Sequence, residues 1–361
     1  MTKEVKTGFN KNGEVSKTKK ITLKDLFTTF IEAQEILSKE TKGEIDLNKT
    51  PRTKQAVQRL FHNMTKSFSE PEIMSQHEQE WHDKAFRGGI IYAEEGEYED
   101  VKCYDQNSQY SYYLSQKSFY IPIKAGEFLL VDNDAIKEFA RYGIYRCIIT
   151  STNTNKDKLF RFNSSNYYSH YDINHALKLG FKVDIIQDGQ VNFLYYDGDK
   201  RICGDKLFKP IVDYLFDLKL KCKYAKKLLS CLWGSCMERN YKKYLVSEKT
   251  EEIEISDSEK IITIERYADH HKIKTTPYSH LFKTNWARLG AFLTSYVRFK
   301  MSDIISSNFD LNDVIRIHTD GVIVKNCEMK QDHLGSNIGQ FKIEKQGNLI
   351  IYSNVSLTWE K

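Results

Sequence analysis

The chain has 361 residues, 40% of them hydrophobic, with a formal charge of +5 and a pI near 8.6. That length supports one large or two to three modest domains, and no run of about 18 apolar residues exists, which excludes a membrane-spanning helix. Seven scattered cysteines without a CxxC pair read as reduced intracellular thiols rather than a disulfide framework or zinc site, and the mild basic excess permits a nucleic-acid partner without demanding one.

The polar, lysine-rich residues 1–20 lack the apolar stretch of a secretory signal and read as a flexible lead-in. Helical periodicity then runs from Thr22 to Leu37, with Leu23, Leu26, Phe27, Phe30 and Ile31 on one face. A second helix is predicted from Thr50 to Met64, with Pro51 at its first position and Ala56, Val57, Leu60 and Phe61 as its buried stripe. Glu70 to Lys84 is charged, and helical or irregular. At Phe86-Arg87-Gly88-Gly89 two glycines follow an arginine. They allow the backbone close approach to a nucleic-acid strand, or form a plain turn before the strand Ile90 to Tyr92. A Glu/Gly turn at Glu94 to Glu97 predicts a hairpin into a strand from Val101 to Asp105.

Next, short strands surround a predicted helix near Asn133 to Tyr142. A helix from Tyr171 to Leu179 stops at Gly180, and strands follow at Lys182 to Ile186 and Val191 to Tyr196. Leu207 to Asn240 is the strongest helical segment, opened by Pro210. Between Lys206 and Lys243 it carries 10 basic residues against 3 acidic ones, and Lys219, Lys223, Lys226 or Lys227, Ser230 and Trp233 with Gly234 recur at three- and four-residue steps on one face. Such a stripe is most often a solvated face. A hairpin is expected over Ile253 to Tyr267 and a long amphipathic helix over Trp286 to Ile305. His270, His271 and His280 lack ligand spacing and read as surface or core histidines. Ile315 to Val324 reads as two strand halves around a tight turn, and strand signals continue at Phe341 to Ile343 and Leu349 to Tyr352.

Two acids stand at chemically useful places. Asp105 ends a strand just before a helix that carries Tyr110, and Asp320 is at the tip of the second hairpin. Separately, they read as a helix cap and a turn residue. Together, with a lysine-rich helix between them in sequence, they fit two-metal phosphoryl transfer, in which paired carboxylates hold divalent ions and lysines take the triphosphate. The Gln106 backbone carbonyl is a further oxygen donor, since Mg²⁺ takes oxygen ligands.

Four stretches in order carry a specific resemblance. Asp105-Gln106-Asn107-Ser108-Gln109-Tyr110 matches a motif A of the form Asp-x-Asn-Ser-Leu-Tyr. Lys226 through Ser230, Cys231, Trp233 and Gly234 matches motif B in spacing, and His318-Thr319-Asp320-Gly321 matches the motif C pattern Asp-Thr-Asp-Ser. Phe86-Arg87-Gly88-Gly89 resembles the Tyr-x-Gly-Gly element that precedes the polymerase domain. Over roughly residues 86–345 the chain resembles the family B DNA polymerases, nearest the protein-primed branch of viruses, linear plasmids and large DNA transposons.

The resemblance implies an α+β fold, a palm interrupted by helical fingers, behind a small helical N-terminal region. The implied divisions are a lead-in to residue 20, the helical region 21–85, palm 86–205 with room for an insertion, fingers 206–245, palm again 246–345, and the start of a thumb or a tail from 346. It implies a DNA polymerase using Mg²⁺, or Mn²⁺ in its place, with DNA template, primer and deoxynucleotide as partners. A terminal protein or second polymerase subunit is a further implied partner. Asp105 and Asp320 would hold the metals with Gln106. Tyr110, Lys219, Lys226, Ser230, Trp233 and Gly234 would hold the nucleotide, and Arg87, Gly88, Gly89 and Thr319 would meet DNA. The departures are His318 for the first acid of motif C, Ser230, Cys231 and Trp233 within motif B, and Ser111 for the proline after Tyr110. Residues 1–85 show no Asp-x-Glu proofreading triad, so an exonuclease domain is expected to be absent. These departures keep a second reading open, a catalytically degenerate palm serving as a DNA-binding or polymerase-subunit scaffold.

Overall fold

A computed structural model describes residues 2–9, 15–50, 52–247 and 255–360. The fold is α+β, organised by a six-stranded antiparallel sheet. Its spatial order is Leu357–Trp359, Phe341–Ile351, Gly96–Gln106, Gly321–Val324, Val314–His318 and Ile91–Ala93. Alternation along the strands gives the sheet two apolar faces. Val322 and Val324 join Tyr104, Ile317, Phe341, Met301 and Ile305 on one side, while Ile323 joins Val101, Ile315, Leu349 and Ile351 on the other.

The expected hairpin into the Asp105 strand does not form. Ile91–Ala93 pairs with Val314–His318 at the sheet edge, and the two places beside Gly96–Gln106 go to Gly321–Val324 and Phe341–Ile351. The long helix Leu289–Asn308 is less amphipathic than expected. Thr294, Ser295 and Arg298 are buried with its apolar residues, because other elements pack on it from several sides.

Between the two halves of the sheet lie a second sheet and the helical part. The second sheet is built on Gly143–Thr150, which pairs with Phe193–Tyr195, Tyr167–Ser169 and Lys182–Ile185. The helix expected near Asn133 to Tyr142 is a single turn, Asn133–Ile136. Beyond it the Asn174 side chain accepts from the Ala140 amide and holds the chain out of helix. The helix His170–Leu179 ends at Gly180, whose φ of +83° suits glycine.

The predicted helix over Leu207 to Asn240 is two helices, Gly204–Lys221 and Ala225–Cys236, with Pro210 inside the first rather than at its start. The lysine stripe is therefore divided between two helices. These pack against Leu23–Glu40 and Thr53–Met64 in one core that includes Leu37, Leu60, Phe61, Phe208, Leu215 and Leu232. Among the described side chains of the first of those helices, burial comes only in the later part, at Ala33, Gln34 and Leu37. Leu23 and Phe27, expected on its buried face, are exposed. Pro51 lies outside the described residues. The lead-in pairs Thr2–Phe9 with Val15–Thr22.

Residues 253 and 254 of the hairpin expected at Ile253 to Tyr267 also lie outside the described residues. Glu259–Arg266 finds its partner downstream instead, in His270–Pro277, and Lys242–Ser247 completes that three-stranded sheet. Among the described residues no helix is long and apolar enough to cross a membrane.

Candidate active site

Asp105 lies one residue before the end of the central strand, with Gly321 as its partner on one side and Lys342 on the other. The Val314–His318 and Gly321–Val324 hairpin returns Asp320 to the same place. The Gln106 amide donates to the Asp320 carbonyl at 2.8 Å, so two acids far apart in sequence share one sheet end. The turn between them is tight. His318 pairs with Gly321, and Thr319 has φ +60°, a conformation a β-branched residue seldom adopts. Neighbours hold it there. The Thr319 amide donates to Ile90 at 2.9 Å, and the Gln109 side-chain amide donates to the Thr319 carbonyl at 3.3 Å.

Burial raises the Asp320 pKa above the ordinary carboxylate value, and the Asp105 carboxylate raises it further; His318 acts the other way, and Glu344 adds to the rise. A partly buried carboxylate with a second one beside it is a donor set suited to a hard, oxygen-seeking cation. Among the described residues no three His, Cys, Asp or Glu side chains come together as a metal cluster.

Cations converge on the same cleft. Lys342 Nζ is 3.3 Å from Asp105 Oδ2. Lys219 donates to Asn107 Oδ1 at 2.8 Å and to Ser108 Oγ at 3.2 Å, which anchors the helix Gly204–Lys221 to the stretch that follows Asp105. Burial lowers the Lys219 pKa, and the ammoniums of Lys226 and Lys342 lower it further, against the pull of Asp105. The helix break between Lys221 and Ala225 has not separated Lys219 from Lys226 electrostatically.

Tyr110 stacks on Trp233, with ring centroids 4.7 Å apart and planes at 21°. Burial pushes its hydroxyl pKa up to about 12, with smaller opposed effects from Arg298 and Asp320. Ser111 reaches the Leu229 carbonyl at 3.3 Å, a tie between the helix after Asp105 and the helix Ala225–Cys236. The Ser230 hydroxyl is spent within its own helix on the Lys226 carbonyl, at 2.8 Å. Gly234 faces open space where a side chain would project.

The Arg87-Gly88-Gly89 stretch lies against the same hairpin. A Cβ on Gly89 would meet Thr319 at 2.9 Å, whereas one on Gly88 would meet nothing. Arg298, buried and paired with Asp172 at 2.8 Å, donates to the carbonyls of Arg87 and Gly88 at 2.8 and 2.7 Å. The Arg87 guanidinium itself donates to the Phe86 carbonyl and to Ser165, so part of its donor capacity is used within the protein.

Lys342, Asn107, Ser108 and Arg298 carry positions in this site that sequence reasoning did not assign. The strand signal at Phe341 to Ile343 was the available clue to Lys342, but its register against Asp105 was not local information.

A curled antiparallel sheet with an acid at the end of its central strand, a second on the adjoining hairpin and two lysine-bearing helices nearby defines a polymerase-like fold. Solved structures of phi29 DNA polymerase are similar to it. The complex with single-stranded DNA matches with a TM-score of 0.62 at 15% identity, covering 90% of this chain and 56% of that one. The ternary complex with primer-template DNA and incoming nucleotides matches with a TM-score of 0.60 at 14% identity, covering 95% and 61%. Identity at this level establishes the fold alone, and the chain spans about three-fifths of the length of the polymerases it matches. No protein-family model matches the sequence, and no curated protein does.

Proposed function

We propose that this chain is a template-directed DNA polymerase, adding deoxynucleotides to a DNA 3′ end or to a protein hydroxyl. The observation that carries this reading is the pairing of Asp105 and Asp320 at one sheet end, with Lys219 and Lys226 on the helices beside it. In the proposed reaction the primer oxygen forms a bond to the α-phosphorus, the bond from that phosphorus to the pyrophosphate oxygen breaks, and the hydroxyl proton passes to water. Asp105, Asp320 and the Gln106 carbonyl would hold Mg²⁺ or Mn²⁺, which acidifies the attacking hydroxyl and neutralises the leaving group. Lys219 and Lys226 would bind the triphosphate. Tyr110, backed by Trp233, would stack under the sugar and exclude a 2′-hydroxyl, with Ser230 and Gly234 lining the nascent base pair. Gly88, Gly89 and Thr319 would meet the DNA strand, and Arg87 would do so with its remaining donors.

One observation favours the second reading, a catalytically degenerate palm that binds DNA or a polymerase subunit. His318 occupies the place of the first acid of motif C, and a histidine is a poor Mg²⁺ ligand. Primer extension on a short DNA template, with Mg²⁺ and then Mn²⁺, separates the two. Template-dependent extension that disappears in Asp320→Ala supports the polymerase. No extension with either metal, alongside measurable DNA binding, supports the scaffold.

A further inference from the structure

The group that faces Asp105 across the sheet is itself a cation. Antiparallel partners project to the same face, and Lys342 is the partner of Asp105. This register is pinned from the adjoining loop. The Asn107 amide donates to the Gln340 carbonyl at 2.9 Å, and the Gly339 amide donates to the Asn107 carbonyl at 2.8 Å. Gly339 also lies so close to the Tyr112 ring that an added Cβ would meet it at 2.5 Å. Lys342 is thus delivered to Asp105 by fixed backbone and not by a wandering side chain.

The pair is held loosely at the head. The Lys342 side chain is 51% exposed and that of Asp105 25%, with 3.3 Å between the charged atoms. An ion pair this open is worth little in net stability, so it exchanges readily for a stronger partner. It still sets a cation beside Asp105, the acid whose charge acts on Asp320.

We propose that Lys342 is the resident counter-ion of the Asp105–Asp320 site: its ammonium occupies the cation position at Asp105 until a divalent metal takes that position, and is then left free for a phosphate beside Lys219 and Lys226. The proposal rests on the polymerase reading of this site. It makes metal and triphosphate binding mutually dependent. A metal arriving alone must displace the lysine, whereas a metal arriving with a nucleotide gives the displaced ammonium a new anion.

The test is Mn²⁺ binding without nucleotide, read from the electron paramagnetic resonance signal of the free ion, in the wild type, Lys342→Met, Lys342→Arg and Asp105→Asn. Circular dichroism checks that each is folded. Lys342→Met should bind Mn²⁺ about 2- to 5-fold more tightly than the wild type, and Lys342→Arg should stay near it. A deoxynucleotide should tighten Mn²⁺ binding less in Lys342→Met than in the wild type. Unchanged Mn²⁺ affinity in Lys342→Met overturns the proposal. If Asp105→Asn has meanwhile lost its Mn²⁺, only the role of Lys342 has failed. If Asp105→Asn matches the wild type, the metal site itself has failed, and the polymerase reading with it.

Discussion

At Asp320 two unfavourable effects add, burial and the nearby Asp105 carboxylate, and both raise its pKa in the folded protein. The native state therefore holds this proton to a higher pH than the unfolded chain does. Stability falls as pH rises from the unfolded value of about 3.9 through the folded one, and the penalty is complete at neutral pH. Asp320→Asn removes it. The variant should melt higher than the wild type at pH 7, with the gap closing as the solution is acidified toward the unfolded value, while primer extension is lost. Thermal melts across pH check the sign, and a variant less stable at pH 7 would remove the like-charge account. Tyr110 is the other residue whose surroundings are specific enough to test singly. Its ring is backed by Trp233, so it cannot swing aside to admit a ribose hydroxyl. Tyr110→Val should raise ribonucleotide incorporation by about tenfold or more, and unchanged sugar discrimination would take Tyr110 out of that role.

The hairpin that carries Asp320 is positioned by its neighbours as much as by its own turn. Thr319 holds a positive φ because the Ile90 carbonyl and Gln109 fix it, and Gly89 leaves the room it needs. Gly89→Ala should displace the turn and cost about 1–3 kcal/mol in urea unfolding, with extension reduced further than stability alone explains. Gly88→Ala meets open space and should leave unfolding unchanged, so any effect there would be on DNA binding. Equal effects of the two substitutions would contradict this account. The same elements explain what the sequence could and could not reveal. Asp105 and Asp320 were legible because a strand end and a tight turn are local patterns, and Tyr110 because it follows in the next helix. Lys342 was not legible, since its role comes from the pairing of Phe341–Ile351 with a strand more than two hundred residues earlier. Nor was the true partner of Ile91–Ala93, which local turn chemistry assigned to the following strand and the sheet assigned to Val314–His318. The break at 222–224 was hidden because helical spacing continues through it.

Across the whole molecule, the central sheet is assembled from two stretches, 91–106 and 314–359, with the second sheet and the helices Gly204–Lys221 and Ala225–Cys236 between them in sequence. The candidate site therefore lies where the two stretches of the central sheet meet the helices Gly204–Lys221 and Ala225–Cys236, and the chain's charge is unevenly shared. A net charge of +5 over 361 residues is a weak field, but basic residues are in excess from Lys206 to Lys243, where Lys223, Lys226 and Lys227 are all exposed. Such a face is either solvated or a phosphate contact, and salt dependence separates the two. Each phosphate neutralised by a lysine releases condensed counter-ions and contributes about −0.9 to the slope of log affinity against log salt concentration on duplex DNA. If this face meets a primer-template, Lys223→Met with Lys227→Met should flatten that slope by about 2 and weaken binding most at low salt. If it is a solvated face, the slope should stay at the wild-type value. Lys226→Met should then behave differently from both. As a triphosphate contact it should raise the KM for the nucleotide and leave the DNA salt slope where it was.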